Sequence, residues 1–277
     1  MSRELFCVTL LLSTALFGCS EKRSDGSRIN QETQLEGDLN VLENERIFFG
    51  HQSVGANIVE GLQEINKENP ADPLHIIHRG KDASLPSAFF LEGLIGENLN
   101  PKSKCDDFTR IVNELGPKGL TIALMKFCYL DISHETNLDR VFDGYTTAVK
   151  ALQQRHPTIT FVHVTVPLTT EPDILRRVYR FLRGRSIDHN ADNAARERFN
   201  DRIRKEFATE PIFDLAAIES THPDGSREQW GTPAGTCYAL AKEYASDEGH
   251  LNESGKKIAA RELVRTLARA AHDHKKK

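Results

Sequence analysis

Leu120 to Phe127 read "LTIALMKF", apolar everywhere except Thr121 and Lys126. Side chains of a strand alternate between two faces, so a run apolar on both faces needs cover on both sides. That condition selects a sheet sandwiched between helix layers. The flanking chain agrees. "RIFF" from Arg46 reads as a short buried strand, and Ile58, Leu62 and Ile65 then share a helix face. "LHIIH" (Leu74–His78) is a second strand, followed by a Pro- and Gly-rich region from Gly80 to Lys104. "DDFTRIVNEL" opens with the acids a helix N-terminus favours and stops at Gly116-Pro117. After LTIALMKF come a helix over 138–155, the strand "TITFVHVTVPL" stopped by Pro167, and an irregular Arg-rich stretch from Thr169 to Asn190. A helix over 194–208, the strand "PIFDL", a long loop over 220–249 and a final helix over 253–271 complete the chain. Strand and helix alternate five times, which predicts a single α/β domain with a five-stranded parallel sheet between two helix layers.

The first residues stand apart from this pattern. "MSRELFCVTLLLSTALFGCS" has an apolar core, Leu5–Phe17, too short to span a bilayer, and then Gly18-Cys19. This resembles a bacterial lipoprotein signal, which implies removal of residues 1–18 and a lipid on Cys19. The following polar stretch predicts a flexible tether over 19–45, then a domain over 46–272 and a basic tail over 273–277. On this reading the protein is exported and anchored to the bacterial cell envelope through Cys19, which in a Gram-negative cell would mean the outer membrane or periplasm. The net charge of −4, with no basic stripe, argues against a nucleic-acid partner. Cys105, Cys128 and Cys237 remain beyond the leader, and an exported compartment permits a Cys105–Cys237 bridge.

In open α/β sheets ligands bind beyond the carboxyl ends of the strands. The first strand ends there in "GHQS", Gly50 to Ser53, directly before a helix. Ser53 alone would serve equally well as a helix cap. Far along the chain, "DEGHLNESG" places Asp247 and His250 in a loop just before the last helix. An imidazole can take the proton of a serine hydroxyl, and a carboxylate can hold that imidazole's tautomer. Ser53, His250 and Asp247 supply the three roles. The Gly-x-Ser-x-Gly elbow of the α/β-hydrolases is excluded, because position 51 is His and the serine follows the first strand.

A serine in a Gly-containing turn after strand one, a five-strand core and Asp-x-x-His before the last helix together resemble the SGNH, or GDSL-type, hydrolases. The first block, "FGHQSVG", is similar to a divergent bacterial branch rather than to the common Gly-Asp-Ser. The resemblance implies a flavodoxin-like sheet and an esterase acting on an acyl, above all acetyl, group of a carbohydrate or similar ester, without a cofactor. It leaves two alternatives: a polysaccharide O-acetyltransferase with the same triad, and a catalytically degenerate carbohydrate-binding envelope protein. The family's oxyanion glycine is matched nearest by Gly80. The usual Asn after strand three is missing, where this chain reads Lys126-Phe127-Cys128-Tyr129. Lys126, Asn98 or Asn100 could stand in for it. His51 and Asn100 are candidate substrate contacts, with a structural role for His51 equally open. His75 and His78 fall on opposite faces of a strand and make a poor metal pair, so no metal is expected. The arginines at 176, 177, 180, 183 and 185 could grip an anionic substrate, though such runs are more often solvated helix faces.

Overall fold

A computed structural model of the chain describes residues 21–70, 74–80, 85–171, 189–232 and 235–274. The leader, Cys19, the arginines from 176 to 185 and the last three residues lie outside them. The chain divides into two compact units, Met1–Gln34 and Leu35–Lys277. In the first, the described residues are helical from Glu21, where α1 (Glu21–Leu42) begins.

The end of α1 opens the second unit and corrects the expected tether. Leu35, Leu39 and Leu42 recur at four and three residues, which puts them on one helix face. All three are buried in the core, at about 2 kcal/mol of apolar burial each. Three leucines in a polar stretch suffice to dock a helix when their spacing is right. The folded domain therefore starts at Leu35 rather than Arg46.

The remaining elements are β1 (Arg46–His51), α2 (Ser53–Glu68), β2 (Ile76–His78), β3 (Phe89–Leu94), α3 (Pro101–Leu115), β4 (Ile122–Met125), α4 (Leu138–Arg155), β5 (Thr160–Val164), α5 (His189–Glu206), β6 (Ile212–Phe213), α6 (Leu215–Ser220), β7 (Gln229–Thr232), β8 (Gly235–Tyr238) and α7 (Glu253–His274). The main sheet has six strands in the order β2-β3-β1-β4-β5-β6, all paired in parallel. The expectation was five. The extra strand, β3, reads "FFLEGL" inside the stretch taken as Pro- and Gly-rich, and its first five residues are buried. β7 and β8 form an antiparallel hairpin within the expected long loop, and α7 runs on to His274.

β1 sits between β3 and β4, with Gly50 opposite Gly93 on one side and Met125 on the other. The chain leaves β1 toward one edge and later returns to build the other half, so the strand order reverses at β1. That reversal opens a crevice beyond the carboxyl end of β1. Adjacent residues of β1 feed opposite cores. Phe49 joins the layer of α2 and α7, and Phe48 joins that of α3, α4 and α5. The three-layer α/β expectation holds, with six strands in place of five. Helices α2 and α7 approach closely: a Cβ on Gly61 would lie 2.4 Å from the Lys256 carbonyl oxygen, and Lys256 pairs with Glu60 at 2.8 Å.

Candidate active site

The turn between β1 and α2 is built by Gln52. Its backbone is extended, with φ −131°, and it stands at the N-cap without a side-chain cap bond. Its carbonyl receives the Ala56 amide at 3.1 Å, the first hydrogen bond of α2. Its side-chain Nε2 donates to the carbonyls of Ile95 (2.7 Å) and Gly96 (3.0 Å), stitching the turn to the loop after β3. Ser53 is thus the first residue of the helix and not its cap. Helix geometry leaves the amides of Ser53, Val54 and Gly55 without an acceptor inside α2, and these form a ready anion cradle.

Ser53 is exposed, and its Oγ lies 2.9 Å from His250 Nε2. On the other side of the ring, His250 Nδ1 meets Asp247 Oδ2 at 2.8 Å and Oδ1 at 3.0 Å. Asp247 Oδ1 also accepts the backbone N–H groups of Gly249 and His250 at 2.8 and 2.9 Å. Burial pushes the Asp247 carboxyl up. The two amides and the His250 ring outweigh that and hold it below the usual carboxylate range. The loop carrying both residues is fastened to α2 by the Leu251 amide on Asn57 Oδ1, 3.2 Å. The Tyr129 ring stands edge-on to His250 with centroids 6.1 Å apart. Gly249 is required beneath that ring, because a Cβ there would lie 2.5 Å from Tyr129 Cε1.

The sequence-derived triad residues therefore meet, across 197 positions of chain. Other candidates do not join them. Gly80 follows β2, and β3 intervenes between β2 and β1, so it lies about 10 Å to the side of the β1 end at normal strand spacing. The glycine in the loop beside the Ser53 turn is Gly96, whose amide is taken by Asp107 Oδ2 at 3.1 Å. The Lys126 side chain is fully buried and donates to the Phe127 carbonyl at 3.1 Å. Burial pushes its ammonium down to about 8, and it is no oxyanion donor. Asn100 caps α3 by accepting the Ser103 amide at 3.2 Å, which occupies its acceptor in holding the helix rather than a substrate. His51 is 1% exposed under the first turn of α2, so it does not contact substrate. Asn98 keeps an oxyanion role open. It is exposed, and its Oδ1 accepts from Lys104 Nζ at 2.9 Å, which leaves Nδ2 to donate outward.

Three features escaped the sequence. The first is the Gln52 stitch. The second is Asp131, wholly buried and ion-paired with Lys104. It accepts the amides of Leu99 (2.9 Å) and Cys128 (2.7 Å), clamping the loops after β3 and β4 together. The third is Glu92, buried in β3 against His51 Nε2 at 2.7 Å. A carboxylate within "FFLEGL" was the available signal, since a charge in an apolar strand requires a partner. Cys105 carries a free buried thiol, so the bridge to Cys237 is not made. Burial pushes that thiol up to about 12 and makes it unreactive.

No family model matches the chain, and no curated protein does. Among solved structures, a candidate platelet activating factor from Streptococcus pneumonia is similar at TM-score 0.47 and 12% identity, over 90% of this chain and 98% of its own. The periplasmic domain of a Salmonella Paratyphi A lipopolysaccharide acetyltransferase is similar at 0.45 and 12%, over 82% and 86%. A carbohydrate esterase family 3 protein from Talaromyces cellulolyticus is similar at 0.42 and 13%, over 82% and 97%. Overlaps this loose assign no chemistry, which has to come from the site itself.

Proposed function

We propose that the protein is a serine esterase of the SGNH type. The observation that carries the proposal is the unbroken line from Ser53 Oγ to His250 Nε2 and from His250 Nδ1 to Asp247. Ser53 Oγ attacks an ester carbonyl while His250 Nε2 takes its proton, and Asp247 supports the imidazolium. The N-terminal amides of α2 and Asn98 Nδ2 are the donors assigned to the developing oxyanion. His250 then protonates the leaving alcohol, and the acyl-serine is resolved by water that His250 deprotonates in turn. Side-chain exposure of 31% at His250 and 54% at Asp247 supports water as the acceptor over a sugar hydroxyl held in a dry site.

An acetyl group on a carbohydrate is the substrate that the sequence resemblance suggests. Export with a lipid on Cys19, after the apolar run Leu5–Phe17, is the location. The test is p-nitrophenyl acetate hydrolysis and fluorophosphonate labelling by the purified protein, alongside Ser53→Ala and His250→Ala. Label on Ser53, with activity lost in both variants, supports the esterase. Equal and negligible rates in all three folded proteins, with no label, would replace it with a carbohydrate-binding role. If Asn98 is the second donor, Asn98→Ala slows turnover by about 10² with KM unchanged.

A further inference from the structure

We propose that His51, Glu92 and His78 form a one-directional hydrogen-bond chain that fixes the turn carrying Ser53, with Glu92 as its protonated link. The positioning role rests on the reading of Ser53 as nucleophile, whereas the order of the bonds does not.

The chain crosses three strands. His78 and Glu92 are register partners of β2 and β3, and Glu92 aligns with Phe49 of β1. His51, two residues beyond Phe49, faces the same side. His51 Nδ1 lies 2.9 Å from the Gln52 carbonyl oxygen, His51 Nε2 lies 2.7 Å from Glu92 Oε2, and Glu92 Oε1 contacts His78 Nδ1.

Chemistry orders these bonds. A carbonyl oxygen only accepts, so His51 Nδ1 bears hydrogen. Burial pushes the His51 imidazole down to about 4, so the ring is neutral and Nε2 is a bare lone pair. A bare nitrogen can hold an oxygen at 2.7 Å only when that oxygen bears hydrogen. Glu92 Oε2 therefore carries the proton, and Oε1 accepts from His78 Nδ1–H. Every polar atom of the buried pair is satisfied without separating two charges in the core, which is what burial favours. The other charged group acting on His51 is Lys126 of β4, which disfavours a second positive charge. Arg79, next to His78, packs its side chain over Gly93. α2 sets no titratable side chain on the ring: it presents Gly55, where a Cβ would lie 2.2 Å from His51 Cβ.

The free end of the chain is the His78 ring, 43% exposed, whereas His51 and Glu92 are 1% and 9% exposed. The anchored end is the Gln52 carbonyl, which also starts α2. His51 thus sets both the height of the first helical turn and the orientation of the peptide before Ser53. His51, Glu92 and His78 act through the backbone and are positioning residues.

Gln and Leu at position 92 separate this arrangement from plain packing. A Gln amide donates to His51 Nε2 and accepts from His78, reproducing a protonated Glu92, and Leu does neither. Glu92→Gln is expected to retain the labelling rate of Ser53 within about threefold. Glu92→Leu, checked as folded by circular dichroism, is expected to lower labelling and kcat at least about tenfold with little change in KM, as misplacement of a reacting group does. In imidazole 15N spectra of the wild type, His51 should show a protonated Nδ1 and an unprotonated, hydrogen-bonded Nε2 near neutral pH. The Ser53, Val54 and Gly55 amide signals should move in the Leu variant and not in the Gln variant. A doubly protonated His51, or Gln and Leu variants equally impaired, overturns the proposal. A wild type that neither labels nor hydrolyses esters instead overturns the esterase reading, and the nitrogen spectra still decide the bond order.

Discussion

Two imidazole–carboxylate pairs flank one turn. On the outer side, His250 and Asp247 meet at 2.8 Å with 31% and 54% of their side chains exposed. On the inner side, His51 and Glu92 meet at 2.7 Å with 1% and 9% exposed. Their contact distances are nearly equal, so distance cannot be what separates their roles. Water is. The outer pair lies in solvent, and backbone amides together with the His250 ring hold the Asp247 carboxyl in its charged form. The inner pair has no such support, and the low local dielectric keeps it neutral with one internal proton. Catalysis needs a proton that moves, and holding a turn needs one that stays.

The contrast can be broken at either end. The largest effect is expected from Ser53→Ala or His250→Ala, each lowering kcat for p-nitrophenyl acetate by about four to six orders of magnitude with unchanged thermal stability. Asp247→Asn should cost about 10⁴ in kcat through the wrong His250 tautomer, measured in the same assay. All three changes act on the wet side of the turn and leave the fold intact.

The dry pair responds in stability first. Gly55→Ala drives a methyl against the His51 ring, with a Cβ separation of 2.2 Å to relieve. It should destabilise by about 2–4 kcal/mol in urea denaturation. A smaller, pH-shaped effect separates Glu92→Gln from the wild type. Between about pH 4.5 and 6.5 an unfolded His binds one proton and an unfolded Glu none. The native wild-type pair also holds one, so its stability should be flat there. In Glu92→Gln burial still disfavours a charge on the native His51, so the unfolded state binds one proton more. Its stability is full above about pH 6.5 and falls with decreasing pH by about 1.4 kcal/mol per unit. Denaturation curves at pH 5 and pH 7 read the difference directly, and a wild type that falls as steeply as the variant would mean that the native pair holds no proton and Glu92 is ionised beside a neutral His51.

The wet pair was legible in the sequence and the dry one was not, for a physical reason. Asp247 and His250 are three residues apart in a loop whose polarity has no structural excuse, and Ser53 sits where a strand meets a helix. Those are local patterns. The inner chain is assembled by lateral neighbours on three strands, and the order of strands is not a local property. Missing β3 displaced everything that depended on strand order: Gly80 was placed beside Ser53, whereas the Gly96 loop occupies that position. Lys126 looked like a site residue because it ends an apolar strand, yet its side chain turns into the core. At the other extreme, Leu35, Leu39 and Leu42 were overlooked because composition was weighed above spacing.

The separation of 197 positions between Ser53 and His250 also sets when this site can be assembled. β1 leads the sheet in sequence but lies at its centre, so it gains its neighbours only after β3 and β4 have been made. Joining ends so far apart carries a large loop-closure entropy, and contacts of that range form slowly. The same final stretch delivers His250 and then α7, which closes over α2 at Gly61 and Lys256. A chain interrupted anywhere before residue 250 therefore carries the serine without its base, and without the helix that covers α2. On the esterase reading, ester cleavage is a property of the finished chain, and a partly synthesised or C-terminally clipped copy that lacks His250 would be inert.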